Sequence, residues 1–273
     1  MQYGLCEEPP NYGCDGAGMP SKCGFRPDHN ISIWASPNLT SGSWSYVGNA
    51  IDVSDRPAVN AALNVSRGGG GDFDILVDDD GTAYIVYSQN YYMSIEQLTT
   101  DFYYSTGNSY MFQEYFVEAP VFLKKDNIYY VLFGWCCCYC MQGSGVLVHT
   151  AKNPMGPYTL QAEGDLACVM PNSTNEMSIT KMHSTLIGGL PTPNQGCEFH
   201  NGSTTSIVRS QQNYIIKVTN STDYTTYVWT GDRWQQAPDG IKGHEPQFWV
   251  PLSFDRNGVI GKMEWVDEFI LDV

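Results

Sequence analysis

Two acidic residues and a pair of glutamines stand at the ends of otherwise apolar, strand-like segments. Asp72 precedes FDILVDDDG, Glu118 opens EAPVFL, and Gln211 with Gln212 interrupts SIVRSQQNYIIKV. Carboxyl groups can donate or accept a proton, and an amide can hold a water molecule in place. If the three segments meet in one pocket, they supply the groups that acid-base chemistry requires.

Each of these residues also has a simpler interpretation. A glutamate before a strand is usually a solvated turn residue, and Asp72 can belong to an acidic surface. The aspartates at positions 78–80 are predicted to form a hairpin turn without a chemical role. Paired glutamines in a strand commonly bond to neighbouring backbone groups. The residue types alone therefore do not decide between chemistry and structure.

The elements that must position these residues are strands. Helical periodicity is nearly absent, and short β-branched or aromatic runs recur between turns supplied by 27 Gly and 15 Pro. Two predicted hairpins share one layout, Phe73 to Ser88 with a turn at Asp80-Gly81 and Ala119 to Trp135 with a turn at Asp126-Asn127. A unit that recurs about every 45 residues is typical of propeller blades. We predict one all-β domain over residues 1–273, a propeller whose inner strands direct polar residues to a central pocket.

Charge and hydropathy exclude two classes of partner. The chain carries 14 Lys and Arg against 29 Asp and Glu, a formal net charge of −15, so its surface repels phosphate backbones and we expect no nucleic-acid partner. The most apolar stretch, Tyr129 to Met141, is shorter than the roughly 20 residues of a membrane-crossing helix. We therefore expect neither a transmembrane segment nor a membrane partner.

Sequons and cysteines indicate an exported protein. Six Asn-x-Ser/Thr sequons occur, at Asn30, Asn38, Asn64, Asn172, Asn201 and Asn220. Nine cysteines agree with an oxidising compartment, although no signal peptide is visible at the first residues. We predict a secreted glycoprotein whose leader is absent from this chain.

The cysteine cluster has two interpretations, zinc ligands or disulfides. Consecutive cysteines in a strand point to alternate faces, which suits paired zinc knuckles poorly and favours a disulfide network without a metal site. The cluster comprises Cys136, Cys137, Cys138 and Cys140, and the candidate partners are Cys6, Cys14, Cys23, Cys168 and Cys197.

Several of these segments resemble motifs of glycoside hydrolase family 43. EAPVFLKKDNIYYVLFGW with GSGVLVHTAKNPMGPYTL is similar to the family's general-acid strand and the strand that follows it. GDFDILVDDDGTAYIVYS is similar to its triple-aspartate hairpin, and ISIWASPNLTSGSW to an early S-x-D-L-x-x-W element. Residues 227–258 resemble the closing region of the branch that includes the exo-β-1,3-galactanases.

The resemblance implies a five-bladed β-propeller that hydrolyses O-glycosyl bonds of galactose- or arabinose/xylose-containing polysaccharides with inversion. It makes Glu118 the general acid and Asp72 the carboxylate that orients Glu118 and raises its proton affinity. Most of the family has an aspartate base on the first inner strand, whereas the galactanase-like branch has a glutamine near the water, which Gln211 matches. An amide is not a base near neutral pH, so the mechanism of this step stays open.

A sugar site also needs aromatic faces and forked hydrogen-bond donors. The candidates for substrate binding are Trp135, Arg233, Trp234, His244 and Trp249. Most of the 7 Trp and 18 Tyr are expected to pack between blades instead. We expect a monomer that requires no cofactor, and a structural calcium ion at the propeller axis is left open.

The chain departs from the family in two places. Asp72 comes only fifteen residues after Pro57, and the residues between them lack the two strands that relatives have there. The chain also starts at or after the position of the first inner strand, so we predict that this strand and part of the first blade are missing. Two other functions follow from a reduced fold or from the cysteines, a catalytically inactive secreted carbohydrate-binding propeller and a disulfide-rich extracellular interaction module.

Overall fold

The computed structural model describes residues 31–40, 42–51, 72–89, 92–113, 117–135, 146–161, 165–166, 168–169, 182–183, 198–199, 210–261, 263 and 265–273. The longer strands are β1 Ile31–Ala35, β2 Ser45–Ile51, β3 Phe73–Val77, β4 Ala83–Gln89, β5 Tyr92–Leu98, β6 Ser105–Gln113, β7 Val117–Lys125, β8 Ile128–Trp135 and β9 Leu147–Ala151. Five two-residue strands follow, β10 Thr159–Leu160, β11 Asp165–Leu166, β12 Cys168–Val169, β13 Met182–His183 and β14 Glu198–Phe199. The last three are β15 Gln211–Thr219, β16 Thr225–Asp232 and β17 Gln247–Pro251, with a 3-10 turn at Lys242–His244.

These strands form antiparallel sheets, and in the three larger sheets strands that are neighbours in sequence are also neighbours in space. The order is β3-β4-β5-β6 in the first four-stranded sheet, β7-β8-β9-β10 in the second, and β15-β16-β17 in a three-stranded sheet. Three further two-stranded sheets pair β1 with β2, β11 with β13 and β12 with β14. Over the described ranges the chain contains no α-helix, and the all-β prediction is confirmed.

Both predicted hairpins form. In the first, Val77 pairs with Ala83 around a five-residue loop, and Gly81 takes a positive φ of 84° inside it. In the second, Lys125 pairs with Ile128, so Asp126 and Asn127 make a two-residue turn. Both turn residues have positive φ, 51° and 60°, as the turn type that matches strand twist requires.

The larger sheets stack face to face in chain order. Strand β8 shows the pattern, because Tyr129, Val131 and Phe133 face the first four-stranded sheet while Tyr130 and Leu132 face the three-stranded sheet. Burial on both faces explains why the segment IYYVLFGW has no polar residue despite the period-two geometry of a strand. The second four-stranded sheet is thus the middle layer of this part of the fold.

The first four-stranded sheet is covered less completely on its other face. Ile33 of β1 packs against Ala83, Ile85, Tyr87 and Leu98. On the same face, the apolar side chains of β3 stay 37–51% exposed, namely Phe73, Ile75 and Val77. Closure into five blades and the missing inner strand remain predictions.

Several sequence predictions lie outside the described residues. The cluster at 136–140 and the other cysteines fall there, and Cys168 is described only through its backbone in β12. None of the helices in the described part is both long and apolar enough to cross a membrane.

Candidate active site

The first strands of the three larger sheets lie side by side. Strand β7 is in contact with both β3 and β15. Asp72 comes directly before β3, Glu118 is the second residue of β7, and Gln211 is the first residue of β15. The three predicted catalytic residues therefore stand at corresponding ends of neighbouring strands.

Hydrogen bonds around Ala119 bring these strand ends together. The Ala119 backbone N–H donates to Oδ2 of Asp72 at 3.1 Å, across 47 residues of sequence. The Ala119 carbonyl accepts from Nε2 of Gln212 at 2.6 Å. Ala119 itself has a positive φ of 48°, a conformation that costs a non-glycine residue free energy unless the surroundings hold it. Asp72 and Gln212 thus fix the backbone that carries Glu118, whose side chain lies outside the described atoms.

Alternate aspartates extend this connection along β3. Asp72, Asp74 and Asp78 are spaced by two or four residues, so their side chains leave the same face of the segment. Oδ2 of Asp74 accepts the backbone N–H of Phe122 at 2.9 Å, as Asp72 accepts that of Ala119. We call Asp72, Asp74 and Asp78 the carboxylate ladder. It joins the edge of β3 to β7 where no backbone pairing does so.

Asp78, the last residue of the carboxylate ladder, is paired with a lysine and a tyrosine. Asp78 accepts hydrogen bonds from Nζ of Lys124 and, at 2.6 Å, from the hydroxyl of Tyr129. Burial raises the pKa of Asp78, but these hydrogen bonds outweigh burial and the net shift is downward. For Asp74 the balance is reversed, because burial raises its pKa more than the bonds from Phe122 and Ile75 lower it.

The two glutamines have different roles. Gln212 is 1% exposed and also donates to the carbonyl of Leu132 at 2.8 Å, while its Oε1 accepts Nε1–H of Trp229 at 3.0 Å. Its amide is thus fully committed to joining β15, β7 and β8. Gln211 is also buried and pairs with Asp232 of β16. Gln212 is therefore structural, and the role of Gln211 stays a prediction.

The candidate substrate-binding residues lie at the same end of the sheets. Trp135 ends β8 opposite Val117, next to Glu118, and its side chain lies outside the described atoms. Arg233 and Trp234 follow β16, and His244 precedes β17.

Three of these candidates are engaged with neighbours in the loops. The guanidinium of Arg233 lies 4.9 Å from the ring centroid of Trp265, and Nζ of Lys242 lies 3.1 Å from that of Trp234. Nδ1 of His244 is 2.7 Å from Oδ2 of Asp239 and holds the pKa of that carboxyl below its ordinary value. Trp249 differs, since it is 46% exposed on β17.

The sequence patterns did not identify two residues that join these strands, Asp74 and Asp232. Asp74 has the period-two spacing from Asp72 that would have identified it, but its partner Phe122 is 48 residues away. Asp232 sits between Gln211 and Gln247 across three strands, a position that depends on strand register. No group of three or more His, Cys, Asp or Glu side chains in the described ranges is arranged to hold a metal ion.

Comparison with known proteins shows a fold likeness. No family model matches the chain, and no curated protein matches it. Among solved structures, an exo-β-1,3-galactanase from Clostridium thermocellum has a TM-score of 0.57 at 18% identity, with 84% of this chain and 41% of that chain covered. An exo-β-1,3-galactanase from Phanerochaete chrysosporium with β-1,3-galactotriose gives 0.53 at 15% identity, with 85% and 41% covered.

A family 43 β-1,3-galactosidase with galactodeoxynojirimycin gives a TM-score of 0.52 at 20% identity, with 81% of this chain and 52% of that chain covered. The resemblance to family 43 and its galactanase-like branch is thus confirmed at the level of the fold. The chain spans about half or less of the length of these structures.

Proposed function

We propose that this protein is a family 43 glycoside hydrolase that cleaves O-glycosyl bonds of galactose- or arabinose/xylose-containing polysaccharides with inversion. The observation that carries the proposal is the hydrogen bond between Asp72 and the backbone beside Glu118. This bond joins Asp72 to the residue that follows Glu118, and the family resemblance assigns both Asp72 and Glu118 to catalysis. The likeness to galactanase and galactosidase folds supports the same assignment and favours β-linked galactose as the sugar.

In the proposed mechanism Glu118 donates a proton to the leaving oxygen. Asp72 receives the Ala119 N–H on Oδ2, and in the proposal it orients Glu118 and favours the protonated form of this acid. Inversion requires a water on the opposite face of the sugar, with the two acting groups roughly 6.5–9.5 Å apart. Gln211 orients that water in the proposal, and the group that accepts its proton is left unassigned.

The proposal predicts that Glu118→Gln abolishes hydrolysis while sugar binding persists. Loss of a general acid lowers kcat by about 10²–10⁴-fold. Release of galactose from β-1,3-galactobiose and from nitrophenyl glycosides measures the effect. NMR of the freshly released sugar should show the anomer opposite to that of the substrate.

A matched control is Glu268→Gln, which removes an exposed carboxylate from the C-terminal segment. It should retain wild-type kcat. Full activity of Glu118→Gln would refute the assignment of the acid. Binding without release by both the wild type and Glu118→Gln would favour the alternative, an inactive carbohydrate-binding propeller.

We also propose that the protein acts as a secreted, glycosylated monomer. The six sequons and nine cysteines support this placement.

A further inference from the structure

Strand β7 is irregular directly after Glu118. Glu118 pairs with Gly134, and the pairing resumes at Val121 opposite Leu132, so β7 advances three residues while β8 advances two. The extra residue makes a β-bulge, a feature that redirects side chains and occurs often beside active sites. Regular pairing with β8 therefore does not fix the backbone that follows Glu118.

Side chains from the two flanking sheets bond to this bulge at Ala119. Asp72, directly before β3, accepts the Ala119 N–H at 3.1 Å, and Gln212 of β15 donates to the Ala119 carbonyl at 2.6 Å. The N–H belongs to the peptide that joins Glu118 to Ala119, and the carbonyl belongs to the peptide that joins Ala119 to Pro120. Since a peptide unit is planar, the two bonds fix both φ and ψ of Ala119.

The conformation of Ala119 depends on these bonds. Its φ of 48° is unfavourable for a residue with a Cβ atom. Pro120 follows, and a residue before proline is restricted further. Without the bond from Gln212, Ala119 can relax to a negative φ, which turns its N–H away from Asp72. The two bonds are thus coupled through one residue.

The amide of Gln212 is held in the orientation that its bond to Ala119 requires. Its Oε1 accepts Nε1–H of Trp229 at 3.0 Å, and an indole N–H can only donate. The amide oxygen therefore faces Trp229, and the amide nitrogen faces the carbonyls of Ala119 and Leu132. Gln212 also precedes a bulge in β15, because the register with β16 shifts between Gln212 and Tyr214.

Trp229 in turn has a fixed position. Its side chain is fully buried, and a Cβ atom at position 231 would overlap the indole ring. Gly231 pairs with Gln212 across β15 and β16, so a glycine here lets the indole lie beside the glutamine. A series of contacts thus runs from Trp229 through Gln212 to the backbone beside Glu118.

We infer that Gln212 is a positioning residue for Glu118, acting through the carbonyl of Ala119. With Asp72 on the other side, it sets the backbone that carries the proposed general acid. A displacement of about 1 Å at a reacting group can cost about 10²-fold in rate, so this bond affects kcat. That Glu118 is the acid rests on the proposed function, whereas the hold of Gln212 on Ala119 does not.

Gln161 provides a matched control. It is 7% exposed, its Nε2 donates to the carbonyl of Ile260, and its Oε1 accepts the N–H of Ile260, both at 2.8 Å. It follows β10, which is three strands away from β7 in the same sheet. Gln161 therefore joins two backbone segments, as Gln212 does, but away from the proposed active site.

The test compares Gln212→Met with Gln161→Met in the full chain. Methionine is close to glutamine in size and has no hydrogen-bond donor in its side chain. In Gln212→Met, kcat for β-1,3-galactobiose should fall by about 10–100-fold while KM stays within about threefold. Amide hydrogen exchange of Ala119, measured by NMR, should become at least about tenfold faster. Gln161→Met should change neither kcat nor this exchange.

A second variant applies if Gln212→Met does not fold. Gln212→Glu keeps the acceptor for Trp229 and places a carboxyl group against the Ala119 carbonyl. The ionised carboxyl cannot donate to this carbonyl, whereas the protonated carboxyl can. The kcat of this variant relative to wild type should therefore be low at neutral pH and should recover in acid. A wild-type kcat at neutral pH would contradict the inference.

The outcomes separate this inference from the hydrolase proposal. Unchanged kcat or unchanged Ala119 exchange in Gln212→Met would overturn the inference even if Glu118→Gln is inactive, as the proposed function requires. An equal fall of kcat in Gln161→Met would overturn it as well, because lost stability would then explain the effect. Full activity of Glu118→Gln would refute the assigned acid, and faster Ala119 exchange in Gln212→Met would still show that Gln212 holds this backbone.

Discussion

Asp74 and Asp78 of the carboxylate ladder have pKa values that shift in opposite directions. Asp74 is half-buried and accepts backbone N–H groups from Phe122 and Ile75. Asp78 instead accepts from Lys124 and Tyr129. Burial raises the pKa of Asp74, while pairing lowers that of Asp78 despite burial. The contributions of these two carboxylates to stability should therefore change in opposite directions as pH rises.

We expect Asp74→Asn to stabilise the protein at neutral pH relative to acidic pH. A carboxyl group whose pKa rises on folding contributes stability below its ordinary pKa of 3.8, and that contribution is lost as pH rises through the folded pKa. Asparagine still accepts the Phe122 N–H without a charge. Urea unfolding of variant and wild type from pH 3 to pH 7 should show a difference that moves in favour of the variant as pH rises.

Asp78→Asn is the matched comparison, with the opposite sign. The pKa of Asp78 falls on folding, so its contribution is present above 3.8 and is lost as pH falls. The variant should be less stable than wild type at pH 7, and the deficit should shrink in acid. If the free energy of unfolding of each variant differed from that of the wild type by the same amount from pH 3 to pH 7, both expectations would be contradicted.

Two sequons differ in exposure. Asn38 is exposed, and its Oδ1 accepts from the backbone N–H and the hydroxyl of Thr40. Asn220 is 8% exposed. Its Nδ2 donates to Oδ2 of Asp272 at 3.0 Å, and its Oδ1 accepts the backbone N–H of Thr222. In a secretory host we expect glycopeptide mass spectrometry to find a glycan on Asn38 and an unmodified Asn220. The reverse pattern would contradict the packing around Asn220.

At the scale of elements, the β7-β8 hairpin depends on its two-residue turn. Asn127 has a φ of 60°, which glycine adopts freely and a β-branched residue strongly resists. We expect Asn127→Gly to change the free energy of unfolding by less than about 1 kcal/mol and Asn127→Val to lower it by about 1–2 kcal/mol. Urea unfolding at pH 7 measures both. Equal effects of the two substitutions would mean that the turn geometry does not limit this hairpin.

At the scale of the whole molecule, Gln212 joins sheets that are distant in sequence. Its Nε2 donates to the carbonyls of Ala119 and Leu132, and its Oε1 accepts the indole N–H of Trp229. Removal of the amide leaves three buried polar groups, and each unsatisfied group costs about 1–3 kcal/mol. We expect Gln212→Ala to lower the free energy of unfolding by about 3 kcal/mol or more.

A matched control is Gln97→Ala. Gln97 is not buried, and its Oε1 accepts a single side-chain bond, from Asn108. Its loss should cost less than about 1 kcal/mol. Equal losses in the two variants, measured by urea unfolding, would show that Gln212 does not hold the sheets together.

Local patterns in the sequence were enough to predict the all-β class, the two hairpins and the two-residue turn at Asp126-Asn127. The side chains of IYYVLFGW alternate between two buried faces. Asp126 and Asn127 have positive φ. Both features depend on residues close in sequence, so the local residue types determine them. The motifs likewise singled out Asp72 and Gln211. In contrast, the structural role of Gln212 follows from contacts with β7, β8 and β16, which a pair of identical residues in a sequence does not reveal.

The tertiary structure alone decided which groups meet. Ala119 joins Asp72 and Gln212, 47 and 93 residues away, because three separate meanders place their first strands side by side. Such contacts depend on how sheets stack and on a one-residue bulge in β15. A sequence encodes these features only through the packing of whole layers. The two hairpins could therefore be predicted from the chain, but the contacts that join the strand ends could not.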